Sequence, residues 1–481
     1  MTEIINKLTA LFSDIYGGYP AEVHRLPSSG SPRIYFTLQK DNNIALGAYN
    51  QDVMENMAFF SFSEHFAFCG LPVPKILAVN SEKDAYLLEY LGNTTLYDFL
   101  SANRTDGLFS LQTVDYYRKV VAWLPKFQVE AGQDLDYTIC YPRMAFDEQS
   151  IQWDLNYFKY YFVKLSGVAF NEQRLEDDFK TLTAFLLEAP RDYFMYRDFQ
   201  SRNVMVRDEN VYFIDYQGGR KGALQYDIAS LLWDAKADMP HETRNELLEL
   251  YLDELSKIIT INKADFKKYY HIFVLVRILQ ALGTYGYRGF YERKSHFLQS
   301  IPYALQNLRW LFDNVTFPVE IKELTSVLKA MIDSANLKEV VSKTYRQLTV
   351  SVSSFSYRRG IPYDPTGNGG GHVFDCRVLA NPGKEQQFYE LTGCDPAVAT
   401  YLNSAPDTEI FLTHVKGIVE QSILCYKGRN FSNLMVNFGC TGGQHRSVYC
   451  AEQMTTFLRE RFPDIRVLIH HHEQKHLNKR T

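Results

Sequence analysis

The charge of this 481-residue chain changes sign near residue 346, and a polypeptide of that length with such a break must build more than one core. From Arg346 to Thr481 there are 15 basic and 12 acidic residues, a net of +3, whereas residues 1–345 carry a net of −8. Seven of the twelve histidines lie from His372 onward. Around the break, Leu324, Leu328, Met331 and Ile332 recur at helical spacing. Beyond it Leu348–Phe355 alternates as a strand that opens a new unit. The expected organisation is therefore a first unit over 1–313, a helical connector over 314–345 and a second unit over 346–481. An apolar fraction of 46% supplies both cores and excludes wholesale disorder. The overall charge of −5 argues against a chain-wide polyanion binder. No run approaches the roughly 18 uncharged apolar residues of a membrane span, and the acidic N-terminal stretch does not read as a secretory signal. Cys69, Cys140, Cys376, Cys394, Cys425, Cys440 and Cys450 show no CxxC spacing, so free thiols in a cytoplasmic protein are expected.

The first unit opens with a helix, followed by strand-like runs at 33–39 and 43–49 about the turn Asp41-Asn-Asn43. A helix near 51–69 and strands at Ile76–Val79 and Ala85–Tyr90 come next. Past Asn93 the pattern is mostly helical, interrupted by short strands near 193–216. A small β-rich lobe followed by a larger helical lobe is an α+β arrangement with a cleft.

The segment Tyr196-Arg-Asp-Phe-Gln-Ser-Arg-Asn203, followed by Val211-Tyr-Phe-Ile-Asp-Tyr-Gln-Gly218, is the most informative. Asp198 and Asn203, with Asp215 at the end of an apolar strand, suit phosphoryl transfer, which needs a base for the acceptor hydroxyl and oxygen ligands for a metal on nucleotide phosphates. Asp198 would be the base, and Asn203 and Asp215 the metal ligands. Oxygen donors without His or Cys fit Mg²⁺ rather than zinc. The alternative is that Asp198 and Asn203 cap turns and Asp215 merely ends a strand.

With Ile214-Asp-Tyr-Gln217 and Leu224-Gln-Tyr-Asp-Ile-Ala-Ser-Leu-Leu232, the segment resembles the aminoglycoside-phosphotransferase-like kinases. Among them it is most similar to the anomeric kinases of cell-wall recycling, which phosphorylate N-acetylmuramate and N-acetylglucosamine. The likeness runs from about Leu26 to Leu311. It implies an α+β, two-lobed protein-kinase-like fold, ATP and Mg²⁺ as cofactors, and an N-acetylated amino sugar phosphorylated at its anomeric hydroxyl. It also implies a hinge at Glu89-Tyr90-Leu91 that meets adenine, a phosphate-covering turn of Ser28, Ser29, Gly30 and Ser31, and a structural role for Asp227 in holding the catalytic loop. Two positions depart from the pattern. Tyr196 stands where the motif has His, and the strand Asn43–Tyr49 has no lysine, the nearest cations being Lys40 and Arg33. Trp153, Tyr157, Tyr160, Tyr161, Tyr285 and Tyr287 could stack on a pyranose or fill the core, and Arg277 and Arg288 could meet a carboxylate or face solvent.

In the second unit an apolar strand runs into Gly439-Cys-Thr-Gly-Gly-Gln-His-Arg-Ser447, with a helix following at about 445–461. Strand, glycine-rich loop and helix N-terminus form an anion-binding arrangement. Cys440 and Arg446 also have the spacing of the cysteine phosphatases, which leaves a thiolate reaction open. Together with Leu348–Pro362, Phe374–Pro382 and Leu391–Asp395, this loop resembles the C-terminal domain of the RNase adapter protein RapZ over about 347–473, within a smaller α/β domain. That resemblance implies a phosphosugar ligand at Thr441, Gly442, Gly443, His445 and Arg446, with Arg377 and Asn381 beside it, and RNA as a second partner. Two other readings stay open: a regulatory protein with an idle kinase fold, and a bifunctional kinase–phosphatase using Cys440.

Overall fold

The computed structural model describes residues 1–26, 33–104, 109–292, 294–334, 337, 348–364, 371–428 and 431–474. The chain divides into two compact units, one of residues 1–287 with 300–334 and the other of 335–481 with 288–299.

The first unit begins with helix α1 (Thr2–Tyr16) and an antiparallel sheet of β1 (Glu22–Arg25), β2 (Ile34–Lys40), β3 (Asn43–Tyr49), β4 (Ile76–Val79) and β5 (Ala85–Glu89), in the order β1-β2-β3-β5-β4. β2 and β3 pair from Ile34 with Tyr49 to Lys40 with Asn43, so the hairpin turn is two residues long and Asp41 takes φ 53° in it. Leu8 and Phe12 of α1 close one face of the sheet over Phe36, Leu38, Ala45, Ala85 and Leu87. Gly47 makes that closure tight, because a Cβ there would lie 2.6 Å from Leu38 Cδ1 and 3.1 Å from Leu8 Cδ1.

Helix α2 (Val53–Phe68) is capped by Asp52, whose side chain accepts from the Glu55 N–H. Its Phe59 stacks on Tyr216 at 5.3 Å, and Phe66 packs edge-on against Phe127 at 5.1 Å and Phe194 at 5.2 Å. These rings join the sheet-bearing lobe to the helical one. The helical lobe includes α3 (Glu148–Phe158), α4 (Glu172–Leu187), α5 (Gln225–Leu232), α6 (Lys263–Tyr285), α7 (Ile301–Asn314) and α8 (Lys322–Asp333). Two hairpin-sized pairs interrupt it: β6 (Tyr193–Met195) with β9 (Arg220–Gly222), and β7 (Val204–Arg207) with β8 (Asn210–Phe213). α8 buries Leu324, Val327, Leu328, Met331 and Ile332 and packs on α4 and α7. The N–H of Leu324 donates to Asp178 at 2.8 Å.

The second unit is a parallel sheet of β10 (Thr349–Ser356), β11 (His372–Asp375), β12 (Asn433–Cys440) and β13 (Arg466–His471), in the order β11-β12-β10-β13. Helix α9 (Pro406–Gly428) and helix α10 (Arg446–Arg461) belong to its core, where Val350, Val352, Val436 and Phe438 meet Val419, Ile423, Cys450 and Met454. All four strands end at the same side, which is where open α/β sheets collect their ligand loops. No helix of the described residues is long and apolar enough to cross a membrane.

All four tryptophans, Trp123, Trp153, Trp233 and Trp310, lie in the first unit, so their fluorescence reports its unfolding alone. Leu328 is fully buried, and Leu328→Ala should lower the stability of that unit by about 2–5 kcal/mol, read as a shifted urea midpoint in tryptophan emission.

Candidate functional site

Asp227, in the first turn of α5, is 0% exposed and organises the loop that follows β6. Its Oδ2 accepts the Tyr196 N–H at 2.8 Å and its Oδ1 the Arg197 N–H at 3.0 Å. Gln128 Nε2 donates to the same carboxylate at 3.1 Å, and Tyr251 Oη in turn donates to Gln128 Oε1 at 2.6 Å. Burial pushes the Asp227 carboxyl up, to about 7, while the Tyr196, Arg197 and Gln128 donors pull it down. Arg197 needs this support because it takes φ 81°, a region where a side chain is strained. Its guanidinium is held by Asp154 Oδ1 at 2.6 Å and Tyr226 Oη at 2.8 Å. Asp198 is the next residue, so its position follows from a clamped backbone.

One bond closes that loop on itself and two tie it to the segment after β8. Asn203 Nδ2 donates to the Asp198 carbonyl at 2.9 Å, the Ile214 N–H donates to the Asn203 carbonyl at 3.0 Å, and Tyr196 Oη donates to the Ile214 carbonyl at 2.6 Å. Tyr196 thus supplies a hydrogen bond where the sequence comparison shows only a missing histidine. Asp215 takes φ 69°, with Gln217 Nε2 donating to its Oδ1 at 2.7 Å. Its carboxyl is raised above the ordinary range, first by burial and then by the charge of Asp198, with Arg33 acting in the opposite sense. The Asn203 bond uses its amide nitrogen, leaving the amide oxygen as the atom suited to a cation. The Asn203 amide oxygen and the Asp215 carboxylate, on which the Asp198 charge acts, are hard oxygens of the kind Mg²⁺ takes.

β3 carries no cation, but Arg33, at the entry to β2, is 4% exposed, and its Nη2 lies 3.2 Å from Glu55 Oε2 on α2. Asn50 Nδ2 donates to the same Glu55 oxygen at 2.6 Å. Lys40 is directed elsewhere, its ammonium lying against Gly18. Ser28, Ser29, Gly30 and Ser31 lie outside the described residues. Glu89 ends β5 and Leu91 is buried beyond it. Between them, Arg207 Nη1 donates to Glu89 Oε1 and to the Tyr90 carbonyl, each at 3.2 Å. Arg207 was not singled out from the sequence, because nothing local marks it.

Tyr157, Tyr161 and Tyr287 form one aromatic cluster, with centroids 4.9–6.0 Å apart. Trp153 lies under the Arg143 guanidinium at 5.6 Å, Tyr160 is half-covered by two lysines, and Tyr285 is buried. Arg277 is buried, donating to Ser230 Oγ at 2.8 Å and to Gln280, while Arg288 pairs with Glu292 at 2.8 Å. Arg202, by contrast, lies in electrostatic reach of Asp198, Asp234 and Tyr285.

In the second unit, Cys440 at the end of β12 is 3% exposed. Its Sγ accepts the Gly443 N–H at 3.2 Å and sits 3.1 Å from Ser447 Oγ. Ser356 Oγ donates to the Thr441 carbonyl at 2.7 Å, and Gly443 takes φ 68°. The side chains that follow hold the 377–391 segment: Gln444 Nε2 donates to the Tyr389 and Leu391 carbonyls at 2.8 Å, His445 Nε2 is 2.9 Å from the Phe388 carbonyl, and Arg446 Nη1 donates to the Arg377 and Leu379 carbonyls at 3.2 Å. Arg377 itself pairs with Asp375 at 2.6 Å and lies 4.2 Å over the Tyr357 ring, and the Asn381 carbonyl accepts the Lys384 N–H. Thr441 and Gly442 are exposed at the N-terminal end of α10. A thiolate reaction would need an acid nearby. Asp375 is engaged by Arg377, and Asp395 by the N–H and hydroxyl of Thr392 at 2.7 and 2.9 Å.

Residues 22–260 match the model of the phosphotransferase enzyme family, and residues 348–475 match that of the RapZ C-terminal domain. A nucleotide-binding protein of Herminiimonas arsenicoxydans is 37% identical over 149 residues, 31% of this chain and 49% of the relative. A nucleotide-binding protein of Thiobacillus denitrificans is 34% identical over 174 residues, 36% of this chain and 59% of that protein. The chain thus spans about half the length of the curated relatives it matches. Among solved structures, choline kinase from Cryptosporidium parvum is 14% identical with a TM-score of 0.46, over 68% of this chain and all of that one. An ADP-bound aminoglycoside phosphotransferase is 13% identical with a TM-score of 0.43, over 70% of this chain and 98% of that one. The chain carries a domain of the phosphotransferase enzyme family at its N-terminal side and a RapZ C-terminal domain at the other.

Tyr196→Phe removes the bond to the Ile214 carbonyl without changing the ring. It should cost about 1–3 kcal/mol, read as a lower melting temperature by calorimetry.

Proposed function

We propose that the protein is an ATP- and Mg²⁺-dependent kinase that phosphorylates an N-acetylated amino sugar, N-acetylmuramate or N-acetylglucosamine, at its anomeric hydroxyl. The observation that carries this reading is the backbone clamp of Asp227 on the two residues before Asp198, in a loop tied through Asn203 to Ile214, the neighbour of Asp215. Asp198 orients the acceptor hydroxyl and takes its proton as the new oxygen–phosphorus bond forms. Asn203 and Asp215 would hold Mg²⁺, which neutralises charge on the nucleotide phosphates when bound. Arg33 serves as the phosphate-facing cation in place of a strand lysine: Glu55 holds it as an α-helical glutamate holds that lysine in protein kinases, and its charge reaches Asp215. The backbone at Glu89 and Leu91 meets adenine, and Ser28, Ser29, Gly30 and Ser31 cover the phosphates.

The amino-sugar acceptor rests on the motif likeness, with the aromatic cluster of Tyr157, Tyr161 and Tyr287 as an apolar surface in the same lobe. Arg202 is better placed than Arg277 or Arg288 to meet an acidic acceptor. The second unit binds a phosphosugar or similar anion through the N–H groups of Thr441 and Gly442, with Gly443, whose N–H is held by Cys440 Sγ, and with His445 and Arg446 shaping the loop around them. The relatives' names, nucleotide-binding proteins, are compatible with an anion site of this kind.

ADP release from purified protein with ATP, Mg²⁺ and a panel of N-acetylmuramate, N-acetylglucosamine, choline and an aminoglycoside tests the reading. Release should depend on the amino sugar and fall by at least about 10²–10⁴-fold in Asp198→Asn. Silence with every acceptor would overturn it in favour of a regulatory role. Arg33→Ala should raise the KM for ATP at least about tenfold, with Arg33→Lys recovering part of the loss.

A further inference from the structure

The second unit brings three metal-ligating atoms together from three separate elements. Cys394 follows the turn at Leu391-Thr-Gly393, Glu452 lies on the second turn of α10, and His471 ends β13. Cys394 Sγ is 3.5 Å from Glu452 Oε1, His471 Nε2 is 3.1 Å from the same oxygen, and all three donor atoms lie within 4.8 Å of one another. Zinc bonds of about 2.0–2.3 Å in a tetrahedron set neighbouring donor atoms about 3.2–3.6 Å apart, so two of the separations already stand near that value. His471 is 2% exposed, and its Nδ1 is 2.8 Å from Ser354 Oγ. An outer hydrogen bond of that kind directs the other ring nitrogen at a metal. A buried His471–Glu452 ion pair accounts for two of these residues and leaves the thiol as a weak donor to a carboxylate. A shared cation accounts for all three.

We propose that Cys394, Glu452 and His471 form a divalent-metal site of the zinc class, with three protein ligands and a fourth position for water. A thiolate, a carboxylate and a neutral imidazole carry two negative charges between them, which one divalent ion cancels. The soft sulfur and the imidazole select zinc over magnesium or calcium. On binding, the thiol S–H bond is replaced by a sulfur–metal bond and its proton passes to solvent, with no change of oxidation state. The ion would tie the 391–395 turn to α10 and β13. That turn also holds the anion loop, since Gln444 Nε2 donates to the Leu391 carbonyl at 2.8 Å and the Gly393 N–H to the Gln444 carbonyl at 3.0 Å. Metal occupancy would therefore stiffen the loop at 441–446.

The test uses tag-free, full-length protein stripped with a chelator, dialysed and titrated with Co²⁺ and then Zn²⁺. One equivalent of Co²⁺ should bind per chain with a thiolate-to-cobalt charge-transfer absorption, and Zn²⁺ should displace it. Cys394→Ser should abolish that absorption and weaken Zn²⁺ binding at least 100-fold, with an unchanged melting temperature for the metal-free protein. Ser354→Ala keeps every ligand and should weaken binding about tenfold. Binding without the thiolate absorption, or an absorption that survives in Cys394→Ser, would overturn the proposal. So would the absence of binding in a protein whose folding is confirmed by circular dichroism.

Discussion

The Asp227 carboxylate is the interaction on which the first unit's site depends. A buried acid is costly unless its oxygens are fully used, and here both accept backbone N–H groups of the loop they position. The geometry of a buried carboxylate converts one helix N-terminal turn into a template for a loop some thirty residues earlier. It also sustains the left-handed backbone at Arg197, whose guanidinium is then committed to Asp154 and Tyr226. Desolvation, strain and two charges are thus brought into one compact arrangement, and Asp198 inherits its place from them.

Around that clamp, two residues that depart from the family's motif make specific contacts. A phenol at 196 does by its hydroxyl what an imidazole would do by a ring nitrogen: it reaches the carbonyl of Ile214 and joins the two acidic segments. An arginine at the mouth of β2 approaches the glutamate of α2 from the neighbouring strand, while β3 carries no charged residue and packs tightly beneath α1.

What was legible in the sequence was local. The hairpin about Asp41, the capped helix near 51–69, the alternating strand at 349–356 and the loop–helix at 440–461 all declare themselves within a few residues of one another. Asp198, Asn203 and Asp215 stand out as candidates because they fall within one short stretch of chain. The pairs that no short window contains escaped notice: Arg207 reaching back to the Tyr90 carbonyl, Arg446 turned onto the carbonyls of residues 377 and 379, and Cys394 meeting Glu452 and His471. Arg277 misled for the opposite reason. Charge in a helix suggests solvent or ligand, but burial beside Ser230 and Gln280 absorbs it.

Helix α2 places Glu55 in its first turn, Phe59 one turn on and Phe66 two turns beyond that, so one rod ends at the Arg33 guanidinium and is packed along its length by Tyr216, Phe127 and Phe194. Tyr216 is the immediate neighbour of Asp215. A slide of that rod by one turn, about 5.4 Å, would part the guanidinium from its glutamate and unstack the ring beside the acidic residue in the same movement. The Arg33–Glu55 pair and the ring stacked beside Asp215 therefore share one helix, and a displacement of that helix reaches both together.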